Sequence, residues 1–168
     1  MFAGTKRMDF PSPTKRSWGF VLLFSLETAE LLALIHDFSM SAIRVGATTG
    51  IANRALARKN AKVVGIFGSG NEARTNLEAI CAVREIERVK VYSITKEHRD
   101  RFAEEMTELL NVEVQPVSGP EAVVKGSDIV MCATNSSQPV FDGNWLEPGA
   151  IGDDDRQYRR SAPAHRSG

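Results

Sequence analysis

Chemistry is concentrated in VVGIFGSGNEARTNLEAI, Val63–Ile80. Here an apolar run leads into Gly68-Ser69-Gly70-Asn71-Glu72-Ala73, and a helical pattern follows without a break. A first glycine permits a tight turn out of a strand. A second lets a pyrophosphate approach the backbone, and a small residue at Ala73 lets helix and strand pack closely. Anionic oxygens then meet the free N–H groups and the positive end of the helix dipole. With a strand before it, a helix after it and a second strand-like run at Arg88–Ser93, this spacing predicts dinucleotide binding. The alternative is a glycine turn in an α/β sheet that binds nothing.

The end of that second strand bears on which dinucleotide. It reads Tyr92-Ser93-Ile94-Thr95-Lys96, with no carboxylate until Glu97. An Asp or Glu there would bond the ribose hydroxyls and repel a 2′-phosphate. The hydroxyls of Ser93 and Thr95 and the Lys96 cation suit a phosphate better, so the expected cofactor is NAD(P), with NADP favoured over NAD. An ordinary helix N-cap at Ser93 or Thr95 fits the local pattern equally well.

These residues need a sheet to hold them, and the pattern from Lys62 supplies one. Lys62–Phe67, Arg88–Ser93, Val112–Val117 and Asp128–Ala133 read as strands. Asn71–Arg84 and Lys96–Leu110 read as helices. Ser118-Gly119-Pro120-Glu121 reads as a capping box opening a short helix that ends near Gly126. Strands alternating with helices imply crossover connections and a parallel sheet covered on both faces. The fold class is therefore α/β, a Rossmann-type doubly wound parallel sheet.

Upstream, Trp18–Leu26 and Glu30–Ile35 are apolar runs joined by SLETAE, which reads as a β-hairpin. A helix over Ser39–Lys59 places Ile43, Ala47, Ile51 and Ala55 on one face. Gly46 and Gly50 lie on it too, and each costs about 1 kcal/mol against alanine. Their spacing predicts close approach of a neighbouring backbone, such as a tight helix–sheet contact, or of a ligand. Gly152–Gly168 is polar, with Asp153–Asp155 and several arginines, and reads as a disordered tail; the sheet is expected to stop after Ala150.

The balance of 21 basic against 21 acidic residues argues against an electrostatic nucleic-acid binder. No apolar run reaches the roughly 18 residues of a membrane span, and the charged, proline-containing first twenty residues do not read as a signal peptide. Cys81 and Cys132 lie in apolar contexts without metal-like spacing and read as reduced, buried thiols of a cytoplasmic protein. No metal site is expected.

Four segments resemble the ornithine cyclodeaminase/μ-crystallin family: IRVGATTGIANRALAR (Ile43–Arg58), the glycine segment above, IERVKVYSITKEHRDRFAEEM (Ile86–Met106) and SDIVMCATNSSQPVFDGNWLEPGA (Ser127–Ala150). The similarity runs from about Phe2 to Ala150. It implies a nucleotide domain packed against a substrate-binding domain that also forms a homodimer. On that comparison, 1–58 is the remnant of the substrate-binding and dimerisation domain plus a linking helix, 59–150 is the NAD(P)-binding domain and 151–168 is a tail. The chain then reads as a truncated member, for which the family dimer is in doubt.

The resemblance also implies site residues. Arg44 in Arg44-Val45-Gly46 matches the arginine of R-T-G that holds the substrate carboxylate, with Val45 replacing a threonine and removing a hydroxyl near the cofactor. Lys6 in Gly4-Thr5-Lys6 matches the lysine of G-x-K, which polarises the reacting carbon–nitrogen bond or binds carboxylate. Thr134, Asn135 and Ser136 match the loop that touches the cofactor. The family aspartate follows a strand after P-G-A; here the chain reads PGAIGDDDRQYRR, with Asp154 near that position and the strand itself apparently lost. The bland readings are a surface arginine, a solvated terminal lysine and a polar loop.

Two functions follow as expectations. One is an NAD(P)-dependent enzyme acting on a small amino acid or imino acid, by cyclodeamination of ornithine to proline or by related imine or amino-acid redox chemistry. The other is a non-catalytic NADP(H)-binding protein or inactive fragment.

Overall fold

The chain divides into two compact units, residues 1–44 and 45–168. A computed structural model describes residues 19–154, apart from the side chains at 38, 39, 153 and 154.

In the first unit, β1 (Phe20–Phe24) and β2 (Leu31–His36) pair antiparallel from Phe20↔His36 to Leu23↔Ala33, with a bulge between Leu23 and Phe24. Ser25 makes the turn: its Oγ accepts from the N–H groups of Glu27 (3.2 Å) and Thr28 (3.1 Å). This is the expected hairpin. Its apolar side chains do not form a core, since Leu32 and Leu34 are each 60% exposed.

Helix α1 (Phe38–Leu56) follows. Within the second unit its two glycines meet α2 (Asn71–Val83), not the sheet. A Cβ at Gly46 would lie 2.6 Å from the Thr75 carbonyl oxygen, and one at Gly50 would lie 3.2 Å from Ala79 Cβ. Because 46 meets 75 and 50 meets 79, the two helices run parallel there. Arg84 closes the far end. Its guanidinium donates to the carbonyls of Arg54, in the last turn of α1, and of Ala57 (both 2.8 Å) and Arg58 (3.2 Å) just past it, placing a cation at the negative end of the helix dipole. The stripe of Ile43, Ala47, Ile51 and Ala55 is exposed, with Ile43 and Ile51 each at 63%. Gly46, Thr49, Gly50, Asn53 and Ala57 are buried in its place. Small residues win that face because only they allow two backbones to approach so closely.

The sheet contains β3 (Val63–Phe67), β4 (Arg88–Tyr92), β5 (Glu113–Pro116), β6 (Ile129–Cys132) and β7 (Ile151–Asp154), all parallel, in the order β5-β4-β3-β6-β7. Helices α3 (Lys96–Leu110) and α4 (Pro120–Val124) complete it. Val64, Ile66, Val89, Val91, Ile129 and Met131 face α2 and α3, meeting Leu77, Ile80, Phe102 and Met106 in one core. The alternate residues Phe67 and Val130 form a second core with Val123 and Val124 of α4. The Phe67 ring stacks on Phe141 at 5.3 Å. Helices on both faces and a parallel sheet make this the doubly wound fold expected.

Two expectations fail. The sheet does not stop after Ala150: β7 pairs with β6 from Ile129↔Ile151 to Cys132↔Asp154. Polar side chains concealed this strand, but the ladder is made by the backbone, and Ile151 packs against the core. The reading of 152–168 as a tail is thus corrected for 152–154, and the remainder lies outside the described residues. Nor does Ser118 form a capping box. The N-cap of α4 is Gly119, one residue later, with no side-chain bond, and Pro120 fills the first turn.

At the opposite edge of the sheet from the glycine turn, Asp128 ties β6 to β3. Its carboxylate accepts from the N–H groups of Lys62 (2.7 Å) and Val63 (2.9 Å) and pairs with the Arg58 guanidinium. Burial alone would raise this carboxyl, but the two backbone donors and Arg58 outweigh it and hold it below its ordinary value.

Two outcomes are expected. Gly46→Ala gains about 1 kcal/mol of helix propensity but drives a methyl at the Thr75 carbonyl, so the urea midpoint should fall; an unchanged midpoint would show that α1 and α2 separate freely. Asp128→Asn should cost about 1–3 kcal/mol at neutral pH. Because the folded carboxyl titrates below the unfolded one, its contribution is complete above about pH 5 and fades as pH falls through the folded value. Urea midpoints of the parent should therefore drop more steeply with acid than those of Asp128→Asn, and parallel profiles would refute the assignment.

Candidate functional site

β3 and β6 are neighbours, yet β3 continues toward β4 and β6 toward β7, so a crevice opens beyond their carboxyl ends. The glycine turn lies there. Gly68 has φ +104°, and a Cβ on it would collide with the Ala133 carbonyl oxygen. Its N–H donates to the Tyr92 carbonyl and the Ala133 N–H to the Phe67 carbonyl, each at 2.8 Å. The turn is thereby locked to the strand ends on either side.

Gly70 is different. A Cβ there would meet nothing within 4 Å, so the space over it is open. It is the N-cap of α2 and makes no side-chain bond to the helix. The first N–H groups of the helix therefore point, unpaired within the helix, toward that space. Ala73 is fully buried, while Gly70, Asn71 and Glu72 are exposed. A locked first glycine, an open second one and a buried alanine fit a pyrophosphate laid on the helix N-terminus.

The structure brings two further clusters to the same edge. A Cβ on Gly68 would stand 3.5 Å from Thr134 Cγ2, which joins the loop after β6 to the glycine turn. That loop is fixed by its own hydroxyls: the Ser136 N–H donates to Thr134 Oγ1 (3.2 Å), and Ser136 Oγ donates to the Gln138 carbonyl (2.8 Å). Asn135 is exposed. Beyond β4, Ser93 is half-buried, and Thr95 is the N-cap of α3 with no side-chain bond to the helix. Lys96 Nζ donates to Asp100 Oδ2 at 2.5 Å.

Sequence reasoning passed over Arg99. Its Nη1 donates to the Ser93 carbonyl at 3.4 Å, and its guanidinium lies over the Tyr92 ring, 5.7 Å from the centroid. A cation one turn after Thr95 was the available signal.

The other candidates fall elsewhere. Lys6 lies outside the described residues. Arg44 is on the exposed side of α1 and belongs to the first unit. The backbone of Asp154 closes β7, so it sits at the carboxyl edge of the sheet. Cys81 and Cys132 form no disulfide and are only partly buried, and burial pushes the Cys81 thiol up to about 11. Among the described residues no group of His, Cys, Asp and Glu is placed to hold a metal, and no helix is long and apolar enough to cross a membrane.

A doubly wound sheet with this turn at its switch point defines a Rossmann-type dinucleotide-binding fold. The chain belongs to the ornithine cyclodeaminase/mu-crystallin family, whose sequence profile matches residues 5–152. It is 37% identical over 123 residues to a Delta(1)-pyrroline-2-carboxylate reductase of Bacillus cereus, covering 73% of this chain and 38% of that protein. The solved reductase of that name from Thermococcus litoralis, in complex with NADH and L-proline, superposes with a TM-score of 0.79 at 38% identity over 82% of this chain and 42% of that one. An archaeal alanine dehydrogenase dimer with bound NAD gives a TM-score of 0.75 at 31% identity, covering 80% and 41%. The chain thus spans about two fifths of the length of these relatives. These relatives are named as reductases and a dehydrogenase, the two solved ones holding NADH or NAD, and the chain is an enzyme-family member by that resemblance.

The two glycines should respond differently to substitution. Gly68→Ala should lower the thermal midpoint, because both its φ and the Ala133 carbonyl forbid a side chain. Gly70→Val should leave the midpoint nearly unchanged, since its side chain enters open space, yet abolish cofactor binding measured by calorimetry. Undiminished affinity in Gly70→Val would place the pyrophosphate elsewhere.

Proposed function

We propose that the chain carries the nucleotide site of an NAD(P)-dependent reductase of small cyclic imino acids, with NADP the preferred cofactor. The observation that carries this reading is the open space over Gly70 at the start of α2, in a chain whose relatives are named as pyrroline-carboxylate reductases.

In this reading Gly68, Ser69, Gly70, Asn71, Glu72 and Ala73 shape the pyrophosphate seat. Ser93, Thr95 and Lys96 surround the adenosine ribose, and Thr134, Asn135 and Ser136 border the nicotinamide half. The cofactor supplies a hydride to the carbon of the imine. Arg44 holds the substrate carboxylate, and Lys6 polarises the carbon–nitrogen bond. Asp154 handles the amine proton; β7 supports this role by ending at the edge of the sheet where the glycine turn lies. Cys81 and Cys132, which form no disulfide, support a cytoplasmic location. The exposed apolar ribbon of β1 and β2 supports a homodimer.

The test incubates the protein with Δ1-pyrroline-2-carboxylate and NADPH, and separately with ornithine and NAD+. Reduction consumes NADPH in proportion to proline formed. Ornithine conversion to proline without net change in cofactor would instead assign cyclodeamination. Tight cofactor binding with neither reaction would favour a binding protein over an enzyme.

A further inference from the structure

We propose that Arg99 is the residue that discriminates NADP from NAD, by taking the 2′-phosphate of the adenosine ribose in a cavity beside the ends of β4 and β5. This rests on the dinucleotide reading above and goes beyond it, because Lys96 was the cation the sequence suggested.

The two cations differ in what already holds them. Lys96 is 71% exposed, and its ammonium is engaged by Asp100 within the same helix. A solvated, paired lysine on a flexible stem contributes little to recognition. The Arg99 side chain is only 14% exposed. Its guanidinium is oriented by the Tyr92 ring on one side and by the Ser93 carbonyl at one nitrogen. Its Nε is buried without a hydrogen-bond partner, because Asp100 Oδ1 stands 4.0 Å away. A buried donor left unpaired is destabilising, so a small shift of the guanidinium that lets an anion reach it would relieve a cost that the free protein carries. The planar fork is also ordered in advance, so little conformational freedom is lost on binding phosphate.

The surroundings suit a phosphomonoester. The cavity is about 440 Å³ and is lined by Lys96, Arg99, Asp100, Gln115 and Ser118, among others. Two cations there face one carboxylate, and Lys96 already engages that carboxylate. The Thr95 hydroxyl makes no bond to the helix it caps, and the first N–H groups of α3 have no partner within that helix. Ile94, at the tip of the turn, is 93% exposed and places no charge against the ligand.

The experiment titrates the 168-residue chain with NADP+, NAD+, adenosine 2′,5′-bisphosphate and AMP, for the parent, Arg99→Met, Arg99→Lys and Lys96→Ala. One lost charge-assisted contact corresponds to about ten- to a hundredfold in affinity. Arg99→Met should lose that factor for NADP+ and the bisphosphate while NAD+ and AMP stay nearly unchanged. Arg99→Lys should keep part of the preference, and it carries the test alone if the Met variant fails to fold. Lys96→Ala should have a much smaller effect. Equal loss for phosphorylated and unphosphorylated ligands would reduce Arg99 to shaping the Ser93 turn and overturn the proposal. So would a parent that prefers NAD+. Failure of the parent to bind any of the four would overturn the dinucleotide reading itself, and this inference with it.

Discussion

The approach of Gly68 to the Ala133 carbonyl is the constraint from which the site follows. There is no room for a Cβ between them, and φ at Gly68 is +104°, so only glycine can leave β3 at that angle. The tight exit lets α2 begin beside the strand end, with Ala73 buried against the core and Gly70 turned to open space. Two amide bonds, Gly68 to Tyr92 and Ala133 to Phe67, pass the same fixed geometry to β4 and β6. The three loops that carry the candidate cofactor residues are therefore hung from one joint. Their mutual spacing depends on backbone contacts, and side-chain packing only supports it.

The same device recurs on both faces of the sheet. A Cβ at Gly65 would collide with the Val123 carbonyl, so α4 presses on β3 as closely as the turn presses on β6. Gly46 and Gly50 do the same for α1 on α2. Asp128 supplies the complement at the amino edge, where strand starts leave N–H groups without partners, and its carboxylate takes two of them at once. Such contacts offer little apolar area. What they contribute is position, and the cores led by Phe102, Met106 and Phe67 supply the burial that offsets the entropy of holding it.

How much of this was legible varies with what each element is made from. β3, α2, β4 and α3 were readable almost to the residue, because their side chains alternate or repeat with the period of the structure they form. The glycine turn was readable because its geometry excludes other residues. The misreadings share a cause. β7 is made by backbone pairing with β6, and its aspartates carry no sign of that. The Ile43–Ile51 stripe gave the helical period of α1 but not its buried face, because close helix contact selects small residues over large apolar ones. Arg99 escaped notice for a related reason: its importance lies in being held by Tyr92 and Ser93, and that depends on side-chain direction, which spacing does not encode.

The site thus has two parts of different character. The proposed pyrophosphate seat is backbone, fixed by collisions that any substitution at Gly68 would provoke, so it comes with the fold. The proposed ribose end is side chains on a turn whose backbone would accept many residues, as the outward Ile94 shows. On the proposed reading, a carboxylate at Ser93 would shift the cofactor toward NAD while leaving the sheet untouched. Relatives of this fold bind NADH and NAD, as the proline-bound reductase and the alanine dehydrogenase do. That likeness speaks for the seat and is silent on the phosphate. Cofactor choice must therefore be argued from the few groups beyond β4, where one buried guanidinium nitrogen lacks a partner and the neighbouring lysine already has one.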